Sequence, residues 1–238
     1  MFQRDERSKH NHSRHARACP GHSRRAVEFS MHSQLSPSYI AGNNCFLEAL
    51  MTKDFSDTDH GKLLASAKGF LKAADVLRRS EEYKKSQILF APTLHLTAHG
   101  IEVLLKANLV GAGLTLGEVK NKYGHSILKL WQHGSNQRLR DMAANEAKIA
   151  WQQAQVDGSW PDCFKGDPVI LLNEYIAKLN ELHTKDTDYA LRYIPASGLQ
   201  GPRPHLLIDT FLVVTDFCIR QPNALVLTAN SIQPTQSP

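Results

Sequence analysis

The chain lacks the marks of a secreted, membrane-embedded or disulfide-stapled protein. It has four cysteines in 238 residues, Cys19, Cys45, Cys163 and Cys218, and no Cys-x-x-Cys pair. That spacing excludes a zinc ribbon and a dense disulfide framework, and fits half-buried thiols in a reducing compartment. No apolar run approaches the roughly 20 residues that cross a bilayer. The longest candidate, around 211–217, is interrupted by Thr215 and Asp216. The first residues are polar and basic with no apolar stretch behind them, which argues against a secretory signal. The expected location is therefore the cytoplasm, with no membrane partner. A P-loop and a Gly-x-Ser-x-Gly elbow are also absent, so no nucleotide-hydrolase or serine-hydrolase motif is present. The reading implies no cofactor.

Strong charge of one sign is lacking as well. The formal net charge is +5. Residues 1–50 hold seven Lys/Arg against four Asp/Glu, and residues 51–238 hold twenty-one against nineteen. A body this close to balance is not a nucleic-acid binder on charge alone.

What is present divides into a tail and a body. Five of the twelve histidines, His10, His12, His15, His22 and His32, lie in residues 1–50 among frequent Arg and Ser. Apolar periodicity begins only near Tyr39, so the segment is expected to stay disordered, as a binding arm or as an upstream extension. Met51 opens a run that would serve as a start just before the first helix. The expected domain is 51–225, with a frayed C-terminal tail over 226–238.

Within the body the dominant period is helical. Leu63, Leu64, Ala67, Phe70, Leu71, Ala74 and Leu77 predict a helix over 57–79, with Asp57, Thr58 and Asp59 as possible caps. A second helix is predicted over 83–110, with Pro92 kinking it or opening a fresh first turn. It is apolar on most sides and so is expected to be central. Shorter helices are predicted after Ser126, over 136–156, from Pro168 to His183, and over 205–220. The fold expected is all-α: an antiparallel bundle of about six helices.

One stretch is distinctive. Residues 94–107 read Leu-His-Leu-Thr-Ala-His-Gly-Ile-Glu-Val-Leu-Leu-Lys-Ala, and a glycine-rich loop then leads to Tyr-Gly-His-Ser-Ile-Leu-Lys-Leu-Trp. With Tyr-Ala-Leu-Arg-Tyr at 189–193, this resembles the core of HEPN domains over about 57–220. The resemblance implies an all-α bundle, often homodimeric, in RNA cleavage, nucleotide handling, toxin–antitoxin modules or defence systems. The family's ribonuclease signature is Arg, four to six residues, then His. No body arginine meets it, Arg203 and His205 being too close together, whereas four matches occur in the Arg/His-rich tail. The function expected is thus a non-catalytic or divergent HEPN-like module binding RNA, a nucleotide or a partner protein. The alternative is an enzyme: a ribonuclease with a relocated Arg203/His205 pair, or a metal-dependent hydrolase.

The candidate residues follow from spacing and chemistry. His95, His99 and Glu102, at i, i+4 and i+7, lie along one helical stripe and offer metal ligands, with His125 as a fourth. A structural reading is open too, with Glu102 paired to Lys106 at i+4 and His99 bonded to a carbonyl. His125 precedes a helix whose N-terminus is able to take a phosphate, helped by Lys120, Lys122 or Lys129; equally, His125 or Ser126 simply caps that helix. Arg192, between Tyr189 and Tyr193, is able to clamp a phosphate or to pair with Glu102 or Glu174. The ligand-binding candidates are therefore His99, His125, Lys129 and Arg192. The broad apolar face of the last helix (Leu206, Leu207, Phe211, Leu212, Val214, Phe217) serves either a homodimer or the core.

Overall fold

A computed structural model of the chain describes residues 55–86, 88–160, 166–183, 191 and 200–227. The expectations for the 1–50 tail, for Arg192 and its flanking tyrosines, for Cys19, Cys45 and Cys163, and for most of 226–238 lie outside the described residues. Among the described residues every regular element is helical: α1 Asp59–Arg79, α2 Glu81–Lys85, α3 Phe90–Gly111, α4 Leu116–Tyr123, α5 Ile127–Trp131, a 3-10 turn Gly134–Asn136, α6 Gln137–Asp157, α7 Pro168–His183 and α8 Pro204–Arg220. The all-α expectation holds. Among the described residues eight α-helices with defined bounds stand where six were expected, because one predicted helix is split and one predicted loop is helical.

Local chemistry sets the boundaries. The Thr58 hydroxyl accepts from Gly61 N–H at 3.0 Å and starts α1. Ser80 ends α1 and its hydroxyl accepts from Tyr83 N–H at 3.2 Å, opening α2. The chain then breaks, and α3 restarts at Phe90 with Pro92 in its first turn, where the missing N–H costs nothing. The segment read as a glycine-rich loop contains α4. Its start is a full capping box, Thr115 hydroxyl with Glu118 N–H and Glu118 carboxylate with Thr115 N–H.

Helix α3 is central, with fourteen of its twenty-two residues buried. Its largest interface is with α1, and α8 packs on α1 and α6. The α1–α3 approach is close at Gly100, where a Cβ would lie 2.7 Å from Leu71 Cγ. The core is Leu64, Leu71, Leu94, Ile101, Leu104, Leu105, Leu130, Leu139, Leu172 and Phe211, with Trp131 edge-on to Phe211. Asn136 bridges elements inside it, donating to Leu130 O and accepting from Asn108 at 2.9 Å.

The apolar face of α8 is spent in this core. Leu206, Leu207, Phe211 and Val214 are buried and Leu212 packs against the same cluster. That face therefore no longer argues for self-association. Cys218 is buried on it, as expected for a core thiol. No described helix is long and apolar enough to cross a membrane.

Candidate functional site

Two polar clusters interrupt the apolar packing. The first centres on Glu102, a 1% exposed carboxylate on the central helix. Four cationic or imidazole groups surround it. Lys106, one turn on, lies 2.5 Å from Oε1. His183 Nε2, from the end of α7, donates to Oε2 at 2.7 Å. His125 Nδ1, from the loop before α5, lies 3.2 Å from Oε1. His99 Nδ1, one turn before, stands 3.7 Å from Oε2. Burial alone would push the Glu102 carboxyl up; hydrogen bonds from His183, His99 and Lys106 outweigh it and hold the carboxyl far below the usual range. Glu102 is therefore an anion, hydrogen-bonded to Lys106, His125 and His183, with His99 slightly farther off.

The sequence candidates His95, His99, Glu102 and His125 do gather here. His95 stacks on His99 with ring centroids 6.3 Å apart and leans on His183 at 5.8 Å. Its place beside the carboxylate is taken by His183, which spacing did not single out. The Glu102–Lys106 pair formed as read. The start of α5 is differently used: Ser126 hydroxyl takes Lys129 N–H, and Asn180 Oδ1 takes Leu128 N–H at 3.0 Å. These side chains occupy the N–H groups that a phosphate at Gly124-His125-Ser126 would need, and Ser126 is the cap. Lys129 itself is exposed on α5.

The second cluster lines a groove of about 1470 Å³ between α1, α2, the end of α6 and the start of α8. Arg78 is buried at its floor. It donates to Asp75 at 2.7 Å and to both carboxylate oxygens of Asp209, one of them at 3.1 Å. Arg78 also meets His205 Nδ1 at 3.3 Å. Trp160 Nε1–H donates to Asp209 at 2.7 Å, and Tyr83 stands edge-on to His205. Arg203, Arg79 and Lys84 form an exposed basic rim, with Glu146 and Asp157 on the α6 side. Helix α8 begins with Pro204 at its first position, its N-cap residue Arg203 makes no side-chain capping bond, and this N-terminal turn lines the groove.

Arg203 and His205 thus share one open groove, while Lys129, His99 and His125 belong to neither its floor nor its rim. Sequence reading missed Asp75, Arg78, Asp209 and Trp160. A signal did exist: Asp75 and Arg78 fall at i+4 and i+7 from Leu71, on the apolar stripe of α1, where charged residues need partners.

No protein-family model matches this chain, and neither curated proteins nor solved structures give a significant match.

Proposed function

We propose that the helical body is a HEPN-like binding module, divergent from the ribonucleases of that family, that holds RNA or a nucleotide in the α8 groove. One observation carries this: Arg203, Arg79 and Lys84 line the same groove as the N-terminal turn of α8 and the half-buried Tyr83. Guanidinium groups and a helix N-terminus suit phosphate oxygens, and aromatic rings suit base stacking. The groove exceeds the ~300–1,000 Å³ of ordinary small-molecule pockets, which favours an extended ligand over a lone metabolite. A cytoplasmic homodimer in a toxin–antitoxin or defence setting, or one with a partner protein, belongs to the same reading and rests on the resemblance.

The arrangement of His205 favours binding over cleavage. Arg78 has only donors, so His205 Nδ1 must accept from it. That places the ring proton on Nε2 and leaves no ring nitrogen to take a proton from a 2′-hydroxyl. The ring is also 8% exposed. The second reading, a ribonuclease using Arg203 and His205, is favoured by their convergence in one groove and would require His205 to leave Arg78.

The test uses the full chain with labelled single-stranded RNA and tRNA, with magnesium or EDTA, beside an Arg203→Ala/His205→Ala double variant. Binding without cleavage, weakened about tenfold in the double variant, is the expected result, since one or two charge-assisted contacts are lost. Binding unchanged in the variant would overturn the groove and point to the basic tail. Cleavage lost only in the variant would establish the second reading.

A further inference from the structure

We infer that His99, Glu102 and His183, none of which lines the α8 groove, form a binding site for a divalent transition-metal ion, zinc being the best fit. One ligand atom from each residue lies within 4.8 Å of the others. Tetrahedral zinc, with bonds of about 2.0–2.2 Å, sets its ligand atoms roughly 3.3–3.6 Å apart. The two separations from Glu102 Oε2, 2.7 Å to His183 and 3.7 Å to His99, bracket that range. Closing the set around an ion takes a withdrawal of the His183 ring from Oε2 by roughly 0.6–0.9 Å and an approach of the His99 ring.

Three features favour an ion over a plain ion-pair network. First, the donor set is two imidazoles and one carboxylate, which suits zinc and its first-row neighbours and is too nitrogen-rich for magnesium or calcium. Second, the carboxylate is already oriented for one-oxygen ligation. Lys106 holds Oε1, so Oε2 is the oxygen presented to His99 and His183. Such outer partners fix ligand geometry in metal sites. Third, three histidine rings, His99, His125 and His183, crowd one carboxylate that already has Lys106, and His95 stacks on His99 behind them. A single anion needs fewer donors than that, whereas imidazole nitrogens gathered at a carboxylate are the ligands a transition metal takes.

The position of each ligand supports binding from solution. His99 and Glu102 are i, i+3 on one helical face, and His183 comes in from the end of α7. The His99 side chain is 32% exposed and that of His125 45% exposed, so the site opens outward past these two rings. His125 approaches Glu102 from that open side but lies outside the tight group of ligand atoms. Water takes the fourth position, with His125 beside it. On binding, the protons that His183 Nε2 and His99 Nδ1 turn towards Glu102 move to the other nitrogen of each ring or are released to solvent, and the freed lone pairs turn to the ion.

The test is metal binding, read without any activity assay and independent of the groove. The tail carries its own possible ligands. The experiment therefore compares the full chain with a full-length variant in which His10, His12, His15, His22 and His32 are alanine and Cys19 and Cys45 are serine. Zinc is titrated against a colorimetric chelator, and cobalt is followed by its visible absorption. The tail variant is expected to keep one equivalent of tightly bound ion. Adding His99→Ala should weaken it more than ~100-fold while the far-ultraviolet circular dichroism stays the same. Adding His125→Ala in its place should leave the stoichiometry unchanged. The inference is overturned if the tail variant binds no ion, or if His99→Ala binds it as tightly as its parent.

Discussion

His183 Nε2 and Glu102 Oε2 meet at 2.7 Å across 81 positions of sequence, both 1% exposed, and join the end of α7 to the middle of the central helix. A carboxylate this deep is tolerable only because every lone pair has a partner. Glu102→Gln keeps the shape but removes the charge that Lys106 and the histidines are arranged around. The expected cost is about 3 kcal/mol of unfolding free energy, because Lys106 and His183 are left facing a neutral amide. Urea unfolding at neutral pH, in the presence of a chelator, measures it. A loss near zero would mean that the network contributes nothing net to stability.

The helical frame was legible because its signals are local. Leu64, Leu71 and Ala74 repeat at helical spacing, Thr58 and Pro92 mark starts, and the apolar density of 101–109 identifies the central helix. Helix α4 was missed because Gly111, Gly113 and Gly117 outweighed the Thr115–Glu118 capping box, which was equally readable. The site was half legible. His95, His99 and Glu102 share a stripe that any helix would create. His183 closes the cluster only through the packing of α7, and nothing in its sequence neighbourhood distinguishes it from a last-turn histidine. The groove around Arg203 and His205 depends likewise on where α1, α6 and α8 meet. The value of Arg192 for either site lies outside the described residues.

Asp75 should make the protein acid-sensitive in a defined window. Burial pushes its carboxyl up, but hydrogen bonds from Arg79 and Arg78, the Arg78 charge and Lys72 outweigh this and bring it down to about 2. The folded value lies below the unfolded one of 3.8, so the unfolded chain holds more protons between them, and stability rises with pH across that interval. The contribution, roughly 2 kcal/mol, is complete above about pH 5 and is lost progressively as pH falls through 4 towards 2 and below. Asp75→Asn should therefore lower stability by about that amount at pH 7, and the gap to the parent should close towards pH 2. Urea titrations of both proteins across this range decide it; a gap independent of pH would remove the charge as its cause.

Cys218 should be chemically silent while the protein is folded. Burial among the apolar residues of α8 pushes its thiol up to about 12, so almost no thiolate forms at neutral pH. Iodoacetamide followed by peptide mass mapping should find Cys218 unmodified in the native protein and modified in urea. Modification under native conditions at the rate of an exposed thiol would show that this end of α8 opens readily.

Gly100 sets the distance between α1 and α3. A methyl group there would lie 2.7 Å from Leu71 Cγ and 3.1 Å from Leu71 Cδ2. Leu71 is fully buried, so its side chain has no open space to retreat into. In an exposed helix Gly→Ala stabilises, by about 1 kcal/mol. Here overpacking reverses the sign: Gly100→Ala should destabilise by about 1–3 kcal/mol. Pairing it with Leu71→Ala supplies the space, so the double variant should lose less than the sum of the two single losses. Chemical denaturation of the four proteins in that cycle measures the coupling. Strict additivity would show that the helices separate to admit the methyl group and that Gly100 does not fix their approach.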